Sequence, residues 1–185
     1  INKERGISGS AYVGQYLPDW RQNTDYRNSY SSKVEDGGGV LRDLSHELDY
    51  LTWLFGQWTR VSAIGGRYSS LEITTDDCWG VLFQTKACPI VSLQLNYLDR
   101  PGSRNLVVIT DLHTFKLDLI EGIIEVDGRI ERIELKRNET YIEQLNSLLH
   151  DKRELLCSLE EGNNVVRLFE AIERSERLKE WVWNE

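Results

Sequence analysis

The sequence predicts an α+β domain: an open, mainly antiparallel β-sheet with helices packed on one face. Two observations lead there. Strand signals run in an unbroken series through the middle of the chain, with helical spacing confined to one segment before them and two after. Several of those strands alternate apolar and polar residues, as half-buried antiparallel strands do. Strands alternating with helices would instead have indicated a doubly wound parallel sheet.

The elements follow in order. A first strand is expected over Gly9 to Leu17, carrying Ala11, Tyr12, Val13, Tyr16 and Leu17. The polar, aromatic stretch "PDWRQNTDYRNSYSSKVEDGGG" is long for a loop inside a compact domain. Such loops are functional or disordered, and Trp20, Tyr26 and Tyr30 argue for the first. Val40, Leu41, Leu44, Leu48, Leu51, Leu54 and Phe55 share the spacing of one helical face, closed by Gly56. Strands are then expected in "RVSAIGGRYS", "DCWGVLFQTK", "PIVSLQLNYL", "NLVVIT", "TFKLDLI", "GIIEVDG" and "RIERIELK", with an Asp-Gly turn between the last two. "TYIEQLNSLLHDKRELL" and "NVVRLFEAIERSERLKEWV" return to helical spacing, with Asn164 as the expected cap of the second.

The 185 residues suit one domain, 1–185, with 40% hydrophobic and 28% charged side chains. A formal net charge of -8 argues against nucleic acid as a partner. No apolar run approaches the roughly 20 residues of a membrane-spanning helix. Three widely spaced cysteines, Cys78, Cys88 and Cys157, read as reduced, buried thiols of a cytoplasmic protein. His46, His113 and His150 lack metal-ligand spacing, so no metal site is expected. The start, "INKERGISGSAYVGQYL", enters a strand almost at once and without Met, as a cut inside a longer protein would.

The stretch "GGGVLRDLSHELDYLTWLFG", Gly37 to Gly56, carries most of the chemistry. Its contiguous glycines follow a long loop, and no Gly-Lys-Ser/Thr ends them. They therefore fit neither a dinucleotide fingerprint nor a Walker loop. A conformational role, in which glycine permits close approach and unusual angles, fits better. On an ideal helix His46 projects about 170° from the apolar stripe. Arg42, Asp49, Tyr50 and Trp53 share its half. Asp49, three residues on, is placed to pair with it. A solvated face with incidental charges is the other reading of the same pattern.

This stretch resembles the Gfo/Idh/MocA (glucose–fructose oxidoreductase/inositol dehydrogenase) family. "GSAYVGQYLPDWR", "LDRPGSRNLVVITDLHTFKLDL" and "CSLEEGNNVVRLFEAIERSERL" resemble further segments of its C-terminal domain in the same order. His113-Thr114 stands where the family often has Gly-Thr. The resemblance implies the second domain of a two-domain enzyme. The Rossmann domain that would bind NAD or NADP lies outside this chain, which has neither G-x-G-x-x-G nor Glu-Lys-Pro. It also implies a homo-oligomer through the exposed sheet face and a sugar-like substrate. By motif His46 lies beside the substrate hydroxyl, as general acid/base or to position its oxygen, and Asp49, matching H-x-x-D, is a candidate substrate contact. The family pattern D-x-x-x-H is not kept, because Asp43 precedes His46 by three residues. That places Asp43 as a candidate catalytic partner out of register.

The loop resembles the segment that sugar-oxidising members place around their substrates. Its rings and guanidinium forks make Tyr16, Trp20, Arg21, Tyr26 and Arg27 candidate substrate contacts. Arg100 and Arg104 read as solvated, Glu160 and Glu161 as helix-start charges, and Cys157 as a core residue. Trp181 and Trp183 are expected to pack on the body or on a partner. The function so indicated is the substrate-binding half of a nicotinamide-dependent oxidoreductase, inactive alone. A non-catalytic oligomerisation or sugar-sensing module is the alternative, and redox-assisted glycoside cleavage a third.

Overall fold

The computed structural model describes residues 4–134, 138–150, 152 and 156–184. Nine strands form one open sheet: β1 (Gly6–Gly14), β2 (Trp58–Gly66), β3 (Cys78–Thr85), β4 (Ile90–Asn96), β5 (Ser103–Thr110), β6 (Thr114–Asp118), β7 (Ile123–Val126), β8 (Arg129–Arg132) and β9 (Val182–Trp183). Their order is β8-β7-β6-β5-β1-β4-β3-β2-β9. The β1–β4 pair is parallel and every other pair antiparallel. The helices are α1 (Val40–Asp43), α2 (Ser45–Phe55), α3 (Glu139–Leu149) and α4 (Leu159–Leu178). The α+β class and the open, mainly antiparallel sheet are as the sequence predicts.

The core lies between the sheet and the helices α2 and α4. Val61, Val81, Phe83, Leu93, Leu95 and Val108 meet Leu48, Leu51, Phe55, Leu168 and Ile172, all buried. Strand alternation aims every second residue at this layer and the rest at the bare face. At Gly9 the Phe55 ring of α2 lies directly on the sheet. A Cβ there would lie 2.5 Å from the Phe55 ring. Ser175 of α4 stitches the same layer to β2, accepting from the Ala63 N–H at 3.1 Å.

Several boundaries differ from the sequence expectation. The first strand is Gly6–Gly14, and Leu17 belongs to a short 3-10 turn, Leu17–Asp19. The helix expected over Val40 to Phe55 breaks at Leu44, whose φ of -102° and ψ of 21° leave the helical region. The final helix begins at Leu159, not near Asn164. Ser158 is its cap: the Ser158 Oγ accepts from the Glu161 N–H, and the Glu161 carboxylate accepts from the Ser158 N–H. This reciprocal pair satisfies two otherwise orphaned donors, which Asn164 could not do from within the helix. The Asn164 carbonyl instead accepts from Trp58 Nε1 at 3.3 Å.

Cys157 is exposed beside that cap rather than in the core, because α4 starts at the surface. Cys88 is buried and Cys78 half-buried, and all three are free thiols. Trp181 and Trp183 flank the Arg60 guanidinium at 4.7 and 5.3 Å, with Val182 and Trp183 forming the edge strand on β2. The ends of two expected elements, at 135–136 and at 151 and 153–155, lie outside the described residues.

Candidate active site

The site is built from the start of α1 outward. Gly39 has a φ of +124°, a backbone angle that disfavours side chains. The Asp76 carboxylate lies where its Cβ would stand. With that space open, Asp76 reaches the helix end. Its backbone carbonyl accepts from the Val40 N–H at 3.2 Å, and its Oδ2 accepts from the Leu41 N–H at 3.0 Å. The position where a phosphate would bind is therefore held by a side chain of the protein itself. Among the described residues this glycine-led helix start is filled and does not fit a dinucleotide.

At its last residue α1 presents Asp43, whose Oδ2 accepts a 2.6 Å hydrogen bond from the Tyr97 hydroxyl. Burial, followed by that carboxylate, pushes the Tyr97 hydroxyl well above its ordinary range. The Tyr97 ring meets Trp20 edge to face at 5.2 Å. The polar loop, the residue that follows β4 and the end of α1 thus join at one point.

One step along α2, His46 and Glu47 lie side by side. His46 is 53% exposed, whereas the Glu47 side chain has no exposed surface. His46 Nε2 is 3.0 Å from Glu47 Oε1, and Arg104 Nε, from β5, is 2.8 Å from the same oxygen. The Arg104 guanidinium also stands 5.9 Å from the centre of the Tyr50 ring. Burial, and then the Glu47 charge, raises the Tyr50 hydroxyl far above its usual value. These contacts are close but poorly aligned. Both Glu47 oxygens, Arg104 Nε and the Tyr50 hydroxyl are buried without a hydrogen bond of good direction.

The structure thus brings Trp20 and Asp43 together through Tyr97, and places His46 beside Glu47. Asp49 does not meet the imidazole. Its carboxylate lies 3.9 Å from the Cys157 thiol. Tyr16 is covered by the Arg100 guanidinium at 3.3 Å. Arg21 stands over Tyr30 at 5.2 Å. The Tyr26 hydroxyl accepts from the Glu72 N–H. Arg27 is committed within the protein: Asp25 takes its Nε and Nη2, and Glu72 its Nη1. Trp53 is exposed.

Glu47 and Arg104 escape the sequence reading. Arg104 reads as solvated, yet it is half-buried against a carboxylate because β5 places it on the helix-covered face, opposite Val13. The signal for Glu47 was present: it lies three residues after Leu44 and four before Leu51, on the flank of the buried stripe. It also stands four residues after Asp43, the spacing at which His46 fails. Among the described residues no group of three His, Cys, Asp or Glu side chains could hold a metal ion.

Residues 9–121 match the GFO/IDH/MocA C-terminal domain. The chain belongs to this family. Among solved structures it is similar to levoglucosan dehydrogenase in complex with NADH and levoglucosan, at 15% identity and a TM-score of 0.82, covering 97% of this chain and 59% of that one. It is also similar to GenD2 from gentamicin A biosynthesis in complex with NAD (20%, TM-score 0.76, 98% and 56%). A third is the WlbA dehydrogenase from Bordetella pertussis in complex with NADH and UDP-GlcNAcA (18%, 0.76, 98% and 57%). At these identities the likeness is one of fold. The chain spans between half and two thirds of the length of these proteins. No curated protein matches the sequence.

Proposed function

We propose that this chain is the substrate-side half of a nicotinamide-dependent oxidoreductase acting on a hydroxyl of a sugar, a sugar nucleotide or a polyol. The observation that carries the reading is His46: a half-exposed imidazole beside a buried carboxylate, in a chain of this family. Dehydrogenases of the same fold are seen with NADH and levoglucosan or UDP-GlcNAcA. NAD or NADP would be held outside this chain, and the residues here handle the alcohol. His46 exchanges the hydroxyl proton, with the Asp43 carboxylate nearby on the same segment. Tyr16, Trp20, Arg21 and Tyr26 frame the sugar. Asp49 and Arg27, whose groups are engaged elsewhere, contribute only if a substrate displaces their partners.

The test is a protein joining this chain to its nicotinamide-binding domain, assayed on a panel of sugars and polyols. His46→Ala lowers kcat by about 10²- to 10⁴-fold with folding intact. Unchanged turnover overturns the acid–base role and leaves the oligomerisation or sensing module. The isolated chain shows neither turnover nor appreciable NAD(P) affinity, and clear dehydrogenase activity from it would refute the division of labour.

The bare sheet face supports association of copies of this chain. Ile64 and Leu82 are exposed there around a trough of about 470 Å³ floored by Ser10, Ser92 and Gly80. Leu82→Glu shifts sedimentation toward monomer, and an unaltered sedimentation coefficient argues against this face. Free thiols fit a reducing compartment, so the cytoplasm is the proposed location.

A further inference from the structure

Glu47 is an expensive residue where it stands. A carboxylate with no exposed surface loses its hydration, and proteins tolerate this when partners replace the water. Here the partners crowd one oxygen without replacing those bonds well, and four buried polar atoms remain without an aligned partner. An apolar side chain of similar shape would serve stability as well or better. The arrangement therefore calls for a role other than holding the fold.

The two groups nearest Glu47 supply that role, since both reach from the buried carboxylate toward the surface. His46 turns Nε2 inward to Oε1 at 3.0 Å, which leaves Nδ1 as the other ring nitrogen. Arg104 turns Nε inward at 2.8 Å. Its Nη1 and Nη2 have no hydrogen-bond or ion-pair partner among the described residues.

We propose that Glu47 is a positioning residue: a buried carboxylate that holds His46 by Nε2 and Arg104 by Nε, and so sets the working edge of each. The proton of neutral His46 resides on Nε2, and Nδ1 is the nitrogen that exchanges protons. Which nitrogen of an imidazole works is decided by what the other one faces. Arg104, held by Nε on the same carboxylate oxygen, keeps its Nη fork for a second partner. What the two edges then act on rests on the proposed function, but the positioning itself does not.

The experiment is nitrogen-15 NMR on the 185-residue chain. In the wild type the His46 ring shifts are those of the Nε2–H tautomer, and Arg104 Hε exchanges slowly with water. Glu47→Gln keeps the size and removes the charge. In it Arg104 Hε exchange speeds up about tenfold, and His46 moves toward the tautomer mixture of a free imidazole. Glu47→Leu, compatible with the apolar surroundings, is read the same way if the Gln variant does not fold. Unchanged Arg104 and His46 signals in a folded variant overturn the proposal, as does an Nδ1–H tautomer in the wild type. Neither readout depends on turnover. Loss of activity in His46→Ala with these signals unmoved by Glu47→Gln would sink the positioning role and leave the proposed function standing.

Discussion

The Tyr97 hydroxyl, one residue past β4, and the Asp43 carboxylate at the end of α1 meet at 2.6 Å, 54 residues apart in the chain. This bond ties the site-bearing segment to the sheet. Tyr97 is fully buried, so its ring remains in place when the oxygen is removed. Tyr97→Phe is expected to cost about 2 kcal/mol, the range for a hydrogen bond to a charged group. Urea unfolding with an unchanged slope reads this directly, and a loss under about 0.5 kcal/mol would show that the bond is dispensable.

The glycine triplet makes a sharper prediction. Gly39→Ala places a Cβ on the Asp76 carboxylate at a φ that side chains avoid. Asp76 must withdraw from the Leu41 N–H and from Trp79 Nε1, which it also accepts at 2.8 Å. The expected cost is about 3 kcal/mol, combining backbone strain with a lost helix cap. Gly37→Ala meets no neighbouring atom and costs less, although its φ is also positive. Thermal denaturation of the two variants checks the order.

Arg104→Leu strands the Glu47 charge in the interior. The expected loss is about 3 kcal/mol, typical of breaking one side of a buried pair. The double variant Glu47→Leu/Arg104→Leu regains most of it, since neither charge remains. Additive losses in the double variant would mean that the two side chains do not interact.

A pH effect is expected at the far end of the sheet. His113 Nδ1 and Asp127 Oδ2 pair at 2.6 Å, with the Glu4 carboxylate 3.9 Å from Nε2. The hydrogen bond to Asp127 raises His113 above its ordinary 6.5. The Thr114 N–H, followed by His113, lowers Asp127 below 3.8. The His113 contribution is complete below about pH 6.5 and is lost as pH rises through the raised value. The Asp127 contribution is present above 3.8 and is lost as pH falls through the depressed one. The pair therefore stabilises between roughly pH 4 and 6.5. Proton NMR titration of His113 checks the direction, and His113→Ala should flatten this part of the stability profile.

The sequence by itself determined the class of fold, the family and the position of His46 on α2. Apolar periodicity and the order of elements are local properties, written in residues a few places apart, and they survive folding unchanged. The same locality explains the misplaced cap, since Asn164 and Ser158 differ only in which one has a carboxylate three residues on, at Glu161. What only the tertiary structure decided is the company each group keeps. Arg27 is an open fork in the sequence, yet Asp25 and Glu72 close it. Asp43 waits on Tyr97, and Glu47 on an arginine 57 positions away. Charge–charge contacts depend on distances that chain topology sets. Their partners come from the register of β4 and β5 against the helices, which no short stretch of sequence contains.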